Sequence, residues 1–172
     1  METSQQDVSL PLHPAPAGFN YDIHHFHFII PAERQKVWAW LNDPDTFTRG
    51  QVWPFRVEFV SPQPDQLPAD FSEGVFNNHH GPLINFAGKL TAVESPRYRD
   101  LHYLYGSYAI SFRLIRPCRL QFWLDEVPEG TLLRGQLDAH IRPWLVSLWN
   151  SVQGIFWRRF RSWSRFSIRK GK

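Results

Sequence analysis

Cysteine is almost missing from this chain. Cys118 stands alone among 172 residues, so no internal disulfide can staple the fold, and a reducing, cytoplasmic setting is the expectation. A lone thiol of this kind reads first as a small packing residue. Long apolar runs are missing too: none reaches the ~18 residues that a membrane-spanning helix requires. The opening METSQQDVSLPLHPAPAGFN has no basic start and no apolar core, so it does not read as a secretory leader. Its Pro, Gln and Ser content predicts a disordered arm over residues 1–19. Acid is missing from the final stretch. From Ala139 onward there are eight basic residues and no Asp or Glu, whereas the preceding part has 11 basic against 16 acidic residues. A mildly acidic body therefore ends in a strongly basic segment, which suits an anionic partner.

Catalytic signatures are also missing. There is no Gly-x-Ser-x-Gly, no phosphate loop, no dinucleotide fingerprint and no His-Glu-x-x-His. No catalytic residue, metal ligand or cofactor is assigned from sequence. No nucleic-acid recognition motif appears either.

Aromatic residues are plentiful. They make up 16% of the chain, with 8 Trp and 14 Phe, enough for a thick core or a lined cavity. YDIHHFHFII (21–30) reads as a strand with Phe26, Phe28 and Ile30 on one face and His25 and His27 on the other. Pro31 then introduces a helix over 31–41 with a Val37, Trp38, Leu41 stripe, and Asp43-Pro44 caps and opens a second short one. Further strands are predicted over 55–60, 74–80, 83–93, 100–106, 118–127 and 131–141. The last of these alternates most clearly, Leu133, Leu137, Ala139 and Ile141 against Arg134, Gln136, Asp138 and His140. Residues 107–116 fit a strand, a lid or a flap equally well.

Pro143 opens a long helix. Leu145, Leu148, Trp149, Val152, Ile155, Phe156, Phe160, Trp163 and Phe166 recur at three- and four-residue steps. At about 100° per residue they share a sector roughly 140° wide. This face is expected to meet the sheet, with Arg158, Arg161, Arg165 and Arg169 behind it. The predicted fold is α+β: a curved antiparallel sheet of about seven strands gripping a long C-terminal helix, in one domain over 20–168 with a basic tail over 169–172.

FHFIIPAERQKVWAWLNDP (26–44) resembles the opening of the SRPBCC superfamily, the START-like or helix-grip fold: an apolar strand, a Pro/Ala step, an amphipathic helix with Val-Trp, then Asp-Pro. The order of elements is similar as well. The resemblance implies a hydrophobic cavity between sheet and long helix, and a lipophilic partner such as a lipid, quinone or polyketide-like compound. On that reading Phe26, Phe28, Phe86, Leu90, Tyr103, Phe122, Leu124, Leu133 and Leu137, with Leu148, Trp149 and Val152 from the helix, line the space. A filled core is the alternative. Arg159 lies inside the apolar sector and is either an anchor for a ligand's acid group or a structural ion pair. His102 is a candidate general base, and the other histidines read as surface residues. Trp157, Arg158, Arg161, Arg165, Arg169, Lys170 and Lys172 form a candidate surface for an anionic membrane or an acidic partner. Two other functions stay open: a cyclase/aromatase or hydrolase using the same cavity, and an interaction module docking through its basic helix.

Overall fold

The structure, a computed structural model, describes residues 14–50, 54–63, 71–82, 84–108 and 114–170. Strand β1 (Asn20–Ile30) leads into helices α1 (Arg34–Leu41) and α2 (Pro44–Arg49). Strands β2 (Arg56–Val60), β3 (Phe76–His80), β4 (Ile84–Glu94), β5 (Tyr98–Tyr108), β6 (Ile115–Val127) and β7 (Gly130–Ile141) follow. A 3-10 turn at Pro143–Leu145 then opens α3 (Val146–Lys170). All seven strands join one antiparallel sheet in the order β1-β7-β6-β5-β4-β3-β2. Each hairpin neighbour in sequence pairs with the next, and β1 returns to close on β7 because the two helices carry the chain across.

Local chemistry sets these boundaries. Asp43 accepts the amide of Asp45 at 2.9 Å, and Pro44 fills the first turn of α2. α1 buries Val37, Trp38, Trp40 and Leu41, one residue more than its sequence stripe. Register shifts at Ala87/Gly88, Leu90/Ala92 and Pro117/Arg119 bulge the central strands, and bulges of this kind bend a sheet into a trough. Gly135 lies opposite Phe26, and a Cβ there would run into the Phe26 ring. The missing side chain lets that ring lie flat across β7.

Two expectations fall partly outside the described residues: residues 1–13 of the N-terminal arm, and 109–113 of the ambiguous segment. The end of the arm is tied down. Phe19 lies 4.4 Å from the Arg142 guanidinium and 5.5 Å from that of Arg116, and Arg142 donates to the Gly18 carbonyl at 3.1 Å. At the other end, Arg169 and Lys170 continue α3.

The long helix corrects the sequence reading by its rotation. Its buried residues are Trp149, Gln153, Trp157, Phe160, Ser164 and Ile168, spaced four, four, three, four and four apart. Leu148, Val152, Ile155, Phe156 and Phe166 are exposed. The helix carries two apolar faces, with centres roughly 130° apart, and only one meets the sheet. The buried face was hard to see because two of its members are polar. Both are satisfied inside the helix: Gln153 accepts the Trp157 indole N–H at 3.0 Å, and the Ser164 hydroxyl donates to the Arg161 carbonyl at 2.9 Å.

Candidate functional site

The concave side of the sheet divides into two halves. Beneath the second half of α3 the space is packed with rings. Phe26 stacks on Trp157 with centroids 3.5 Å apart, Phe28 meets Phe160 at 6.2 Å, and Phe122 lies edge-on to Trp157 at 6.1 Å. Trp40 closes the end, 5.7 Å from Phe160, and donates its indole N–H to Ser167 Oγ at 3.0 Å. Leu124 and Leu133 are sealed into the same cluster. Five residues expected to line a cavity, Phe26, Phe28, Phe122, Leu124 and Leu133, thus meet protein side chains.

The first half of α3 covers a different surface. Phe86, Leu90, Tyr103, Leu137 and Trp149 come together here with Leu101, Ile115 and Leu145. Polar groups share this face. Directly opposed residues of an antiparallel pair point the same way. Asp22 opposes Ala139 and His24 opposes Leu137, both on the buried face of β7, so Asp22 and His24 face inward with Phe26. His79 opposes Phe86 and Asn77 opposes the buried Gly88, so they face inward too. Asp22 Oδ2 and Asn77 Oδ1 are buried with no hydrogen-bond partner. Burial raises the Asp22 carboxyl above its ordinary value, while the charge of His24 and the neighbouring Trp149 indole pull it down. His79 stacks on Phe86 at 4.3 Å, and burial, with His80 beside it, holds its imidazole down at about 4. It is neutral at pH 7. Sequence reasoning missed these residues although a signal existed: Asp22 and His24 lie four and two positions before Phe26 on an alternating strand.

The three helix or anchor candidates Leu148, Val152 and Arg159 are corrected. Leu148 is 60% exposed and Val152 48%, and Arg159 is exposed as well, because all three lie on the helix face turned away from the sheet. The buried arginine of the concave side is Arg99. It donates to the Leu41 carbonyl at the end of α1 (2.5 Å) and lies over the rings of Phe71 (4.8 Å) and Phe122 (5.2 Å). No carboxylate faces it among the described residues. Burial pushes its guanidinium down to about 9. The negative end of α1 and two ring faces hold this cation in place.

The convex face holds a second polar network, and His102 belongs to it. Asp100 takes Arg119 in a two-pronged pair (Nε–Oδ1 2.9 Å, Nη2–Oδ2 2.7 Å), and His102 Nε2 lies 3.0 Å from the same carboxylate. His102 therefore points away from the concave space. Asp138 accepts from Tyr21 and from Gln136, each at 2.8 Å. Cys118 Sγ lies 3.5 Å from His140 Nδ1, but burial pushes the thiol up to about 11, so it is no nucleophile at neutral pH. His25 and His27 face outward, as their alternation predicts. Among the described residues no group of three or more His, Cys, Asp or Glu is placed to hold a metal ion.

The basic surface also changes membership. Trp157 is buried under Phe26, because its phase puts it in the centre of the stripe that meets the sheet. Arg165 is half-buried and donates twice to the Ile29 carbonyl, at 3.0 and 2.6 Å, so it ties α3 to β1. Arg158, Arg161, Arg169 and Lys170 are exposed. Lys172 lies outside the described residues. No described helix is long and apolar enough to cross a membrane.

No family model matches the chain, and no curated protein is detectably similar to it in sequence. Solved structures are similar in fold. Norcoclaurine synthase from Thalictrum flavum, solved with dopamine and hydroxybenzaldehyde, superposes with a TM-score of 0.61 at 10% identity, covering 88% of this chain and 89% of that one. Ara h 8.0201 gives 0.63 at 12% identity over 88% and 99%. An AHSA1-like protein from Aeromonas hydrophila gives 0.56 at 16% identity over 87% and 94%. The chain has the helix-grip fold, as its opening motif implied.

Proposed function

We propose that the chain binds a lipophilic small molecule between the sheet and the first half of α3, with Trp149, Tyr103 and Phe86 as apolar walls and Asp22 as the polar contact. One observation carries this reading: a buried carboxylate oxygen of Asp22 faces the concave side with no hydrogen-bond partner. Buried acceptors are rarely left unpaired, and a ligand N–H or O–H would pair this one. Pockets of this kind are mostly apolar with few polar anchors. That a synthase of the same fold is solved with two small aromatic compounds fits this use of the scaffold. The reading includes peripheral contact with a membrane, where a lipophilic cargo would be taken up and released.

A second reading has its own support. Asp22 and His24 lie on one strand face two residues apart, an arrangement that suits acid/base chemistry on a bound substrate. The docking-module reading, with a filled interior, has less behind it, because the filled half ends where the polar groups begin.

The test is native mass spectrometry of gently purified protein, followed by titration with a hydrophobic fluorescent probe. A released lipophilic compound, or micromolar probe binding that weakens at least about tenfold in Asp22→Asn or Trp149→Ala, supports the binding reading. No compound and no probe binding would sink it.

A further inference from the structure

The apolar residues that α3 turns away from the sheet form a surface of their own. Trp144 is 71% exposed, Leu148 60%, Phe156 52%, and Val152 and Ile155 48% each. Single exposed apolar side chains are ordinary; four gathered on one side of one helix, with a fifth in the turn that opens it, are a patch that needs a partner. On and beside the same face, the following turns carry Arg158, Arg159, Phe166, Arg169 and Lys170, all exposed. The Lys170 ammonium lies 4.3 Å over the Phe166 ring. α3 contains no Asp or Glu.

Charge selects the occupant. A second copy of the chain, meeting this face through a two-fold axis, would offer the same acid-free helix in return and set arginine near arginine. An apolar segment would cover the patch and leave the cations unpaired. An anionic bilayer answers both parts: the acyl boundary takes Trp144 and the aliphatic side chains, and lipid phosphates take the guanidinium groups. We propose that the outward face of α3 lies in the headgroup layer of a membrane containing anionic phospholipid. Trp144, Leu148, Val152, Ile155 and Phe156 enter the boundary, and Arg158, Arg159, Arg169 and Lys170 sit on phosphates. This rests on the membrane-contact part of the function proposed above and not on whether the concave space holds a cargo.

Co-sedimentation of the full chain with vesicles tests it, using phosphatidylcholine alone and phosphatidylcholine mixed with phosphatidylserine. The protein should pellet with the mixed vesicles and about tenfold less with the neutral ones, and added salt should weaken the binding. The triple variant L148S/V152S/F156S should lose at least about tenfold in partitioning, and R158E/R169E should lose the preference for phosphatidylserine. All these positions are exposed, so both variants should keep the wild-type melting temperature. No pelleting, equal pelleting with both vesicles, or wild-type pelleting of the triple variant overturns the inference. So does a concentration-dependent dimer that the triple variant dissolves, which would assign the patch to a second copy. Released cargo without vesicle binding removes this inference and the membrane-contact part of the function, and leaves the ligand reading standing. Vesicle binding with neither cargo nor probe binding leaves it standing and removes the ligand reading.

Discussion

The two halves of the concave side use the same sheet differently. Beneath Trp157 and Phe160, the inward residues are mostly apolar and meet rings or aliphatic groups of the protein itself, and the polar ones are paired: Arg99 with the Leu41 carbonyl and Thr131 with the Ala32 carbonyl. Beneath Trp149, apolar residues alternate with Asp22, His24, Asn77 and His79, and two of these carry orphaned oxygens. A region built for stability removes polar groups or pairs them. A region that keeps them at a cost in desolvation keeps them for something else. One half holds the fold, and the other holds the polar groups that the proposed ligand would pair.

Substitutions should separate the halves. The largest effect belongs to Trp157→Ala. Removing the ring stacked on Phe26 should cost about 3–5 kcal/mol, read as a shift of the urea midpoint, with probe binding per folded molecule unchanged. A small loss of stability together with a new probe site would mean that this half is less tightly filled than its ring contacts imply.

Acid should act on the other half. His79 has a folded value near 4, below the ordinary 6.5. The unfolded chain therefore binds more protons between those values, and stability contributed by the neutral imidazole is lost as pH falls from about 6.5 toward 4. His79→Gln should flatten that part of the stability–pH curve; an unchanged slope would detach His79 from it. Asp22 has the opposite sign, because its folded value is raised. Its charged form weighs against folding once pH rises past the ordinary carboxylate range, so Asp22→Asn should hold or raise stability at pH 7 while weakening ligand binding. A marked loss of stability would turn Asp22 from a recognition group into a structural one.

Gly154→Ala tests the helix between the halves. Nothing lies within 4 Å of a Cβ added there, so the gain should be about 1 kcal/mol, the ordinary helix difference between the two residues. Leu148→Ser on the outward face should change stability least, by no more than about 0.5 kcal/mol, in thermal melts without lipid.

Much of this was legible in sequence where one period dominates. Strand β7 forms where its alternation predicts, although Gln136, Asp138 and His140 on its outer face are buried as well, and Asp43-Pro44 marks a helix start by its chemistry. Helix α3 was harder, since Leu148, Val152 and Phe156 offer a stripe as convincing as the real one. Only contact with Phe26 and Phe28 decides between the two, and that contact is tertiary. The inward polar residues were obscured for a related reason. His24, His25 and His27 read as one cluster, although strand geometry sends the first to the opposite face from the other two.

The clasp between Arg165 and the Ile29 carbonyl has a consequence for motion. It fastens the second half of α3 to β1, in company with Trp157, Phe160 and the Trp40–Ser167 bond. The first half sits on the polar region and has Gly154 between it and the clasp. Opening of the helix should therefore begin at its Val146 end. Backbone amides of residues 150–154 should exchange with deuterium well before those of 160–168, so the stretch over the proposed ligand would loosen while the remainder stays in place.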